Sequence, residues 1–182
     1  MLRLLTLLGS LVILACSDRA GSDAAAPAAP HADSAIYAIL LDSLLPGHQP
    51  AFAIRTFDTV AVTQSELADM AAWVKKELPT VDRAMVLALR SGAPGNLESR
   101  IPNAVGVTWI DTVPDQPAPT NTRPQRPIIW MSRVSYSADF AHALVYAGMR
   151  CGGLCGHASF YAFDRSPSGE WRLTGEQVHI IS

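Results

Sequence analysis

The stretch MRCGGLCGHASF, residues 149–160, gathers two cysteines, three glycines and a histidine. Three chemistries fit such a set: a disulfide staple, a redox pair, or part of a zinc site with His157 and His142 as further ligands. The spacing is CxxxC, not the CxxC of thioredoxin-like enzymes, and no βαβ pattern surrounds it. If Cys151 and Cys155 face each other across a hairpin centred on Gly153, their Cα atoms lie within disulfide range. Gly152, Gly153 and Gly156 then supply the positive φ angles of a tight connection. The same register sets His157 opposite Met149 and His142 opposite Asp164, which separates the two histidines by more than about 20 Å. One chain therefore offers zinc at most two cysteines and one histidine. The expected outcome is a disulfide between Cys151 and Cys155, with no metal and no cofactor; the redox and metal uses stay as rivals.

The third cysteine, Cys16, belongs to another chemistry. The chain opens MLRLLTLLGSLVILACSDRAGSDAAAPAAPHAD. Arg3 is followed by an apolar or small run from Leu4 to Leu14, far shorter than the roughly 20 residues of a spanning helix. It has the form of a cleaved export signal. Ile13-Leu14-Ala15-Cys16 resembles the lipobox of bacterial lipoproteins. The resemblance implies cleavage after Ala15 and acylation of Cys16, with Ile13 in place of the commoner leucine. Two or more acyl chains anchor stably where one holds marginally. Ser17 rather than aspartate suits the outer membrane. Residues 16–33 are rich in Ser, Ala, Gly, Asp and Pro and bury too little apolar surface to order, so they are expected to form a tether. The remaining two cysteines are left to pair in an oxidising compartment.

Residues 34–182 suffice for a single domain. The net charge of the whole chain is −2, which gives no basic surplus for nucleic acid. Ile36, Ile39, Leu40 and Leu44 recur at helical spacing from Ser34, and Pro46-Gly47 ends that helix. Ala51–Phe57 reads as a strand. Thr63-Gln64-Ser65-Glu66 is a capping box ahead of an apolar stripe of Leu67, Met70, Val74 and Leu78, which Pro79 terminates. Thr80–Arg90 reads as a further helix with Val81, Met85, Ala88 and Leu89 inward and Gly92 as its C-terminal cap. Val105–Val113 is expected as a strand, and the Pro-rich run at 113–127 as a loop.

In the C-terminal third the period changes. IIWMSRVSYS, HALVYAGMR, ASFYAFDR and EWRLTGEQVHII are rich in aromatic and branched residues, with turn formers between several of them. Helices before strands predict an α+β fold: N-terminal helices packed on a C-terminal antiparallel β-meander. This succession of strands resembles the C-terminal pattern of a group of uncharacterised exported bacterial proteins. Ser132, Arg133, Val134, Ala143 to Tyr146, Cys151 to Gly156, Tyr161, Gly169 and Trp171 carry the resemblance; His157 departs from the small residue usual in that group. The group has no assigned activity, so the resemblance implies export and fold alone.

Searches for catalytic patterns return none of HExxH, GxSxG, a P-loop or a dinucleotide fingerprint. Arg133 lies in an apolar strand and either faces solvent or pairs with Asp139 or Asp164. Trp130, Tyr136, Tyr146, Tyr161 and Trp171 could line a cleft, but strand aromatics more often fill a core. The sequence thus points to a lipid-anchored bacterial envelope lipoprotein, a non-enzymatic protein that binds a partner or small ligand. Its partners would be the bilayer, through Cys16, and an envelope protein or small ligand. The competing class is a hydrolase or thiol-redox enzyme whose site is assembled from scattered residues. A concave cleft with converging His, Asp or Arg side chains would favour that second class; a filled core with flat surfaces would favour the first.

Overall fold

In the computed structural model, the described residues are 29–47, 49–55, 63–90, 95–101, 104–112, 126–151 and 155–181. Cys16, the signal segment, Gly92 and most of the Pro-rich run lie outside them. Three helices and seven strands follow in the order α1 (Ala29–Leu44), β1 (Ala51–Ile54), α2 (Gln64–Glu77), α3 (Arg83–Ala88), β2 (Val107–Ile110), β3 (Ile128–Met131), β4 (Ser135–Tyr136), β5 (His142–Arg150), β6 (Gly156–Arg165) and β7 (Trp171–Ile181). They form one mixed sheet of order β2-β1-β3-β5-β6-β7, with β4 continuing the line of β3 along β5. The fold is α+β, and most of its sheet is antiparallel.

Two features of the architecture differ from the sequence expectation. Strands β1 and β2 pair in parallel, and so do β1 and β3; α2 and α3 lie in the chain between β1 and β2. A βαβ connection is therefore present beside the meander. The helices also divide between the two faces of the sheet. Ile36, Tyr37, Leu40 and Leu44 of α1 pack with Ala143, Val145, Ala147, Tyr161 and Phe163. Leu67, Ala71 and Val74 of α2, with Met85 and Val86 of α3, pack with Leu144, Tyr146, Phe160 and Ala162. Alternate residues of β5 and β6 thus enter different cores, as the period of two in a strand requires.

Strands β5, β6 and β7 form the expected meander. His142 pairs with Asp164 and Met149 with His157, the register inferred from the cysteine hairpin. Helix α2 begins where the capping box places it. The Thr63 hydroxyl accepts from the Glu66 amide at 3.3 Å, and the Glu66 carboxylate accepts from the Thr63 amide at 2.6 Å. Helix α3 is shorter than expected, because Asp82 caps it by accepting from the Met85 amide at 2.8 Å.

Helix α1 starts five residues before Ser34, so the last part of the expected tether is helical. Asp33 explains what holds it there. Its carboxylate accepts from the Tyr136 hydroxyl and from the Arg100 guanidinium, each at 2.6 Å. Burial raises the Asp33 pKa, opposed by the Tyr136 hydrogen bond and by the charges of Arg100 and Arg133. Arg133 is half-buried, and its charge acts on Asp33 rather than standing clear in solvent.

Candidate functional site

One row of cross-strand partners shapes a hollow at one end of the sheet. Trp130 of β3 pairs with Gly148 of β5, Gly148 with Ala158 of β6, and Ala158 with Ile180 of β7. Two large side chains thus flank two positions that carry almost none. A Cβ at Gly148 would collide with the Trp130 indole and would lie 2.7 Å from the His157 carbonyl oxygen. Only glycine lets Trp130 lie across β5, a close approach that strand glycines often serve. The resulting cavity measures about 330 Å³ and lies between this end of the sheet and the first turns of α2, which contribute Glu66, Asp69 and Met70.

A β-bulge brings His179 to the same place. Pairing along β6 passes from Ala158 with Ile180 to Ser159 with Val178, leaving His179 as the extra residue. Such bulges bend a strand and re-aim side chains. Here both His179 and Ile180 reach the cavity. His179 Nδ1 lies 3.0 Å from the Tyr146 hydroxyl. The rings of Tyr146, Phe160 and Trp73 surround the imidazole at centroid distances of 5.9, 6.1 and 6.2 Å. Burial lowers the His179 pKa below its ordinary 6.5, and the Glu66 charge partly offsets this. Burial, with the Glu66 charge adding to it, pushes the Tyr146 hydroxyl up to about 12. At neutral pH both groups are uncharged.

The charged groups at the rim are placed differently. Glu66 is held by the helix cap, and its pKa is lowered by the hydrogen bonds from Thr63. Arg150, at the end of β5, and Asp69, on α2, are exposed. Among the described residues neither has an ion-pair or side-chain hydrogen-bond partner, and they are not paired with each other. Trp130, Met70 and Ile180 line it beside these groups, so the hollow combines apolar surface with a few polar groups, as ligand pockets do.

The cysteine motif lies just beyond this rim. Cys151 and Cys155 are at disulfide distance, their Cα atoms 5.1 Å apart, and the Cys151 amide donates to the Cys155 carbonyl at 2.8 Å. The glycine turn between them lies outside the described residues. His157 turns to the opposite face, where Nε2 lies 3.3 Å from the Tyr161 hydroxyl, while His142 Nδ1 lies 2.8 Å from Asp164. Among the described residues no three His, Cys, Asp or Glu side chains are gathered to hold a metal.

His142 and Asp164 reproduce two members of a hydrolytic triad. No serine, threonine or cysteine side chain completes it among the described residues, because the Ser137 hydroxyl meets the His142 backbone and Asp139 instead. Asp139 and Asp164, the two expected partners of Arg133, are engaged by Ser137 and His142 respectively. Of the five candidate cleft aromatics, Tyr146, Tyr161 and Trp171 are buried core residues. Tyr146 and Trp130 also border the cavity. Tyr136 serves Asp33.

His179 was not singled out by sequence, because a bulge is a property of two strands in register rather than of either strand alone. No family model, curated protein or solved structure matches the chain.

Proposed function

We propose that this is a bacterial envelope lipoprotein, anchored at the outer membrane through acylated Cys16, whose domain binds a small ligand. The observation that carries the binding half is the cavity between Trp130 and Ile180, with Ala158 between them on the sheet and α2 on its other side. Gly148 lets the Trp130 indole lie over β5, and the small Ala158 beside it leaves space that the core does not fill. The anchor rests on the sequence around Cys16. No helix among the described residues is long and apolar enough to cross a membrane.

The concave site also favours a second reading, an enzyme that uses His179 as a general base beside Tyr146 and Glu66. A neutral imidazole is in the protonation state that can accept a proton. The incomplete His142–Asp164 pair gives nucleophilic hydrolysis less support.

A thermal-shift panel of amino acids, sugars, fatty acids and nucleosides tests the binding reading. One class should raise the melting temperature of the soluble Cys16→Ser protein but not of a Cys16→Ser/Ile180→Trp variant, whose indole fills the cavity mouth. If no class gives a shift that Ile180→Trp abolishes, the binding reading fails. Turnover of the shifting class, lost in His179→Gln, would establish the enzyme instead.

A further inference from the structure

We infer that the cavity takes a small zwitterion with an apolar body, such as an apolar amino acid or a short apolar peptide. This rests on the ligand-pocket reading above and assigns its chemistry. Trp130, Met70 and Ile180 give the cavity its apolar wall, so the body of the ligand is apolar and flat enough to lie against an indole. A volume of about 330 Å³ holds one such side chain with its polar ends.

Charge then narrows the class. Arg150 borders the cavity from the sheet and Asp69 from α2. Neither is neutralised by a partner among the described residues, nor by the other. An anion alone would meet Arg150 but also the field of Glu66 and Asp69. A cation alone would meet the carboxylates but also Arg150. A ligand carrying both charges answers each: its carboxylate accepts from the Arg150 guanidinium, a geometry that favours paired hydrogen bonds, and its ammonium donates to Asp69. His179 and Tyr146, both uncharged at neutral pH, border the space between without opposing either end.

Four compounds with one body test this by calorimetry on the Cys16→Ser full chain: L-phenylalanine, 3-phenylpropanoate, 2-phenylethylamine and 3-phenylpropan-1-ol. A dipeptide, phenylalanyl-leucine, probes the longer span. One of the two zwitterions should bind at least about fivefold tighter than each singly charged or neutral compound, the scale of a partly exposed ion pair. Arg150→Gln should weaken that zwitterion and the propanoate without weakening the amine; Asp69→Asn should weaken that zwitterion and the amine without weakening the propanoate. Both positions are exposed, so folding is preserved. Binding of the alcohol or a singly charged compound as tight as either zwitterion, if lost in Ile180→Trp, overturns the zwitterion and leaves the pocket. Absence of binding by all five overturns the inference, while the broader panel above still judges the pocket.

Discussion

The Tyr146 hydroxyl and His179 Nδ1 lie 3.0 Å apart, joining the middle of the sheet to its last strand inside a ring of aromatic side chains. Because burial depresses the His179 pKa below 6.5, the unfolded chain binds this proton more readily than the folded one. The contribution to stability is complete above the unfolded value and is lost as pH falls through the folded value. Urea denaturation of wild type should therefore show stability falling from pH 7.5 to pH 5. In His179→Gln that part of the slope should be absent. An NMR titration midpoint for His179 at or above 6.5 would contradict the assignment.

Thr63→Ala should destabilise the protein by about 0.5–2 kcal/mol. The hydroxyl receives the Glu66 amide, and its loss leaves that donor to water. Equilibrium denaturation measures the loss; an unchanged midpoint would mean that the cap contributes nothing.

Gly148→Ala should disturb the cavity more than the fold. The added methyl group meets the Trp130 indole and the His157 carbonyl. The indole can swing outward, whereas the backbone of β6 cannot easily retreat. Tryptophan emission should shift, and the cost should fall near 1–3 kcal/mol, as roughly expected for overpacking. Wild-type emission and stability together would show that the site has room that the geometry denies.

The Cys151/Cys155 double serine variant should remain folded, with a loss of at most about 3 kcal/mol, because the closed loop is very short. Protein taken from the envelope should contain no alkylatable thiol. Two free thiols in that sample would remove the staple.

Cys16→Ser should abolish acyl labelling and move the protein to the soluble fraction. Membrane partition unchanged by the substitution would end the lipoprotein assignment.

Much of the C-terminal sheet was legible because its signals are local. HALVYAGMR becomes β5 with its ends unchanged, since the run is uninterrupted and paired glycines follow it in the sequence. Thr63 marked a helix start in the same way. The parallel neighbours β1 and β2 were not legible as such: each has four residues, too few to show a period, and their pairing spans more than fifty positions of chain. Asp33 was hidden for a related reason. Its neighbours have the composition of a tether, while its partners Arg100 and Tyr136 are remote in sequence. The cavity was hardest to foresee, because it depends on a glycine that admits an indole and on the small side chain of Ala158 beside it.

Strand β5 has no solvent side through most of its length: Ala143, Val145 and Ala147 serve one core, Leu144 and Tyr146 the other. A slip of one residue against β6 would exchange the two sets, sending Tyr146 beneath α1 and leaving His179 without its partner. The cysteine pair sits where that slip begins. A covalent tie between Cys151 and Cys155 therefore acts less as reinforcement than as proofreading. It admits one alignment of two strands, and with it both cores and the site between Trp130 and Ile180.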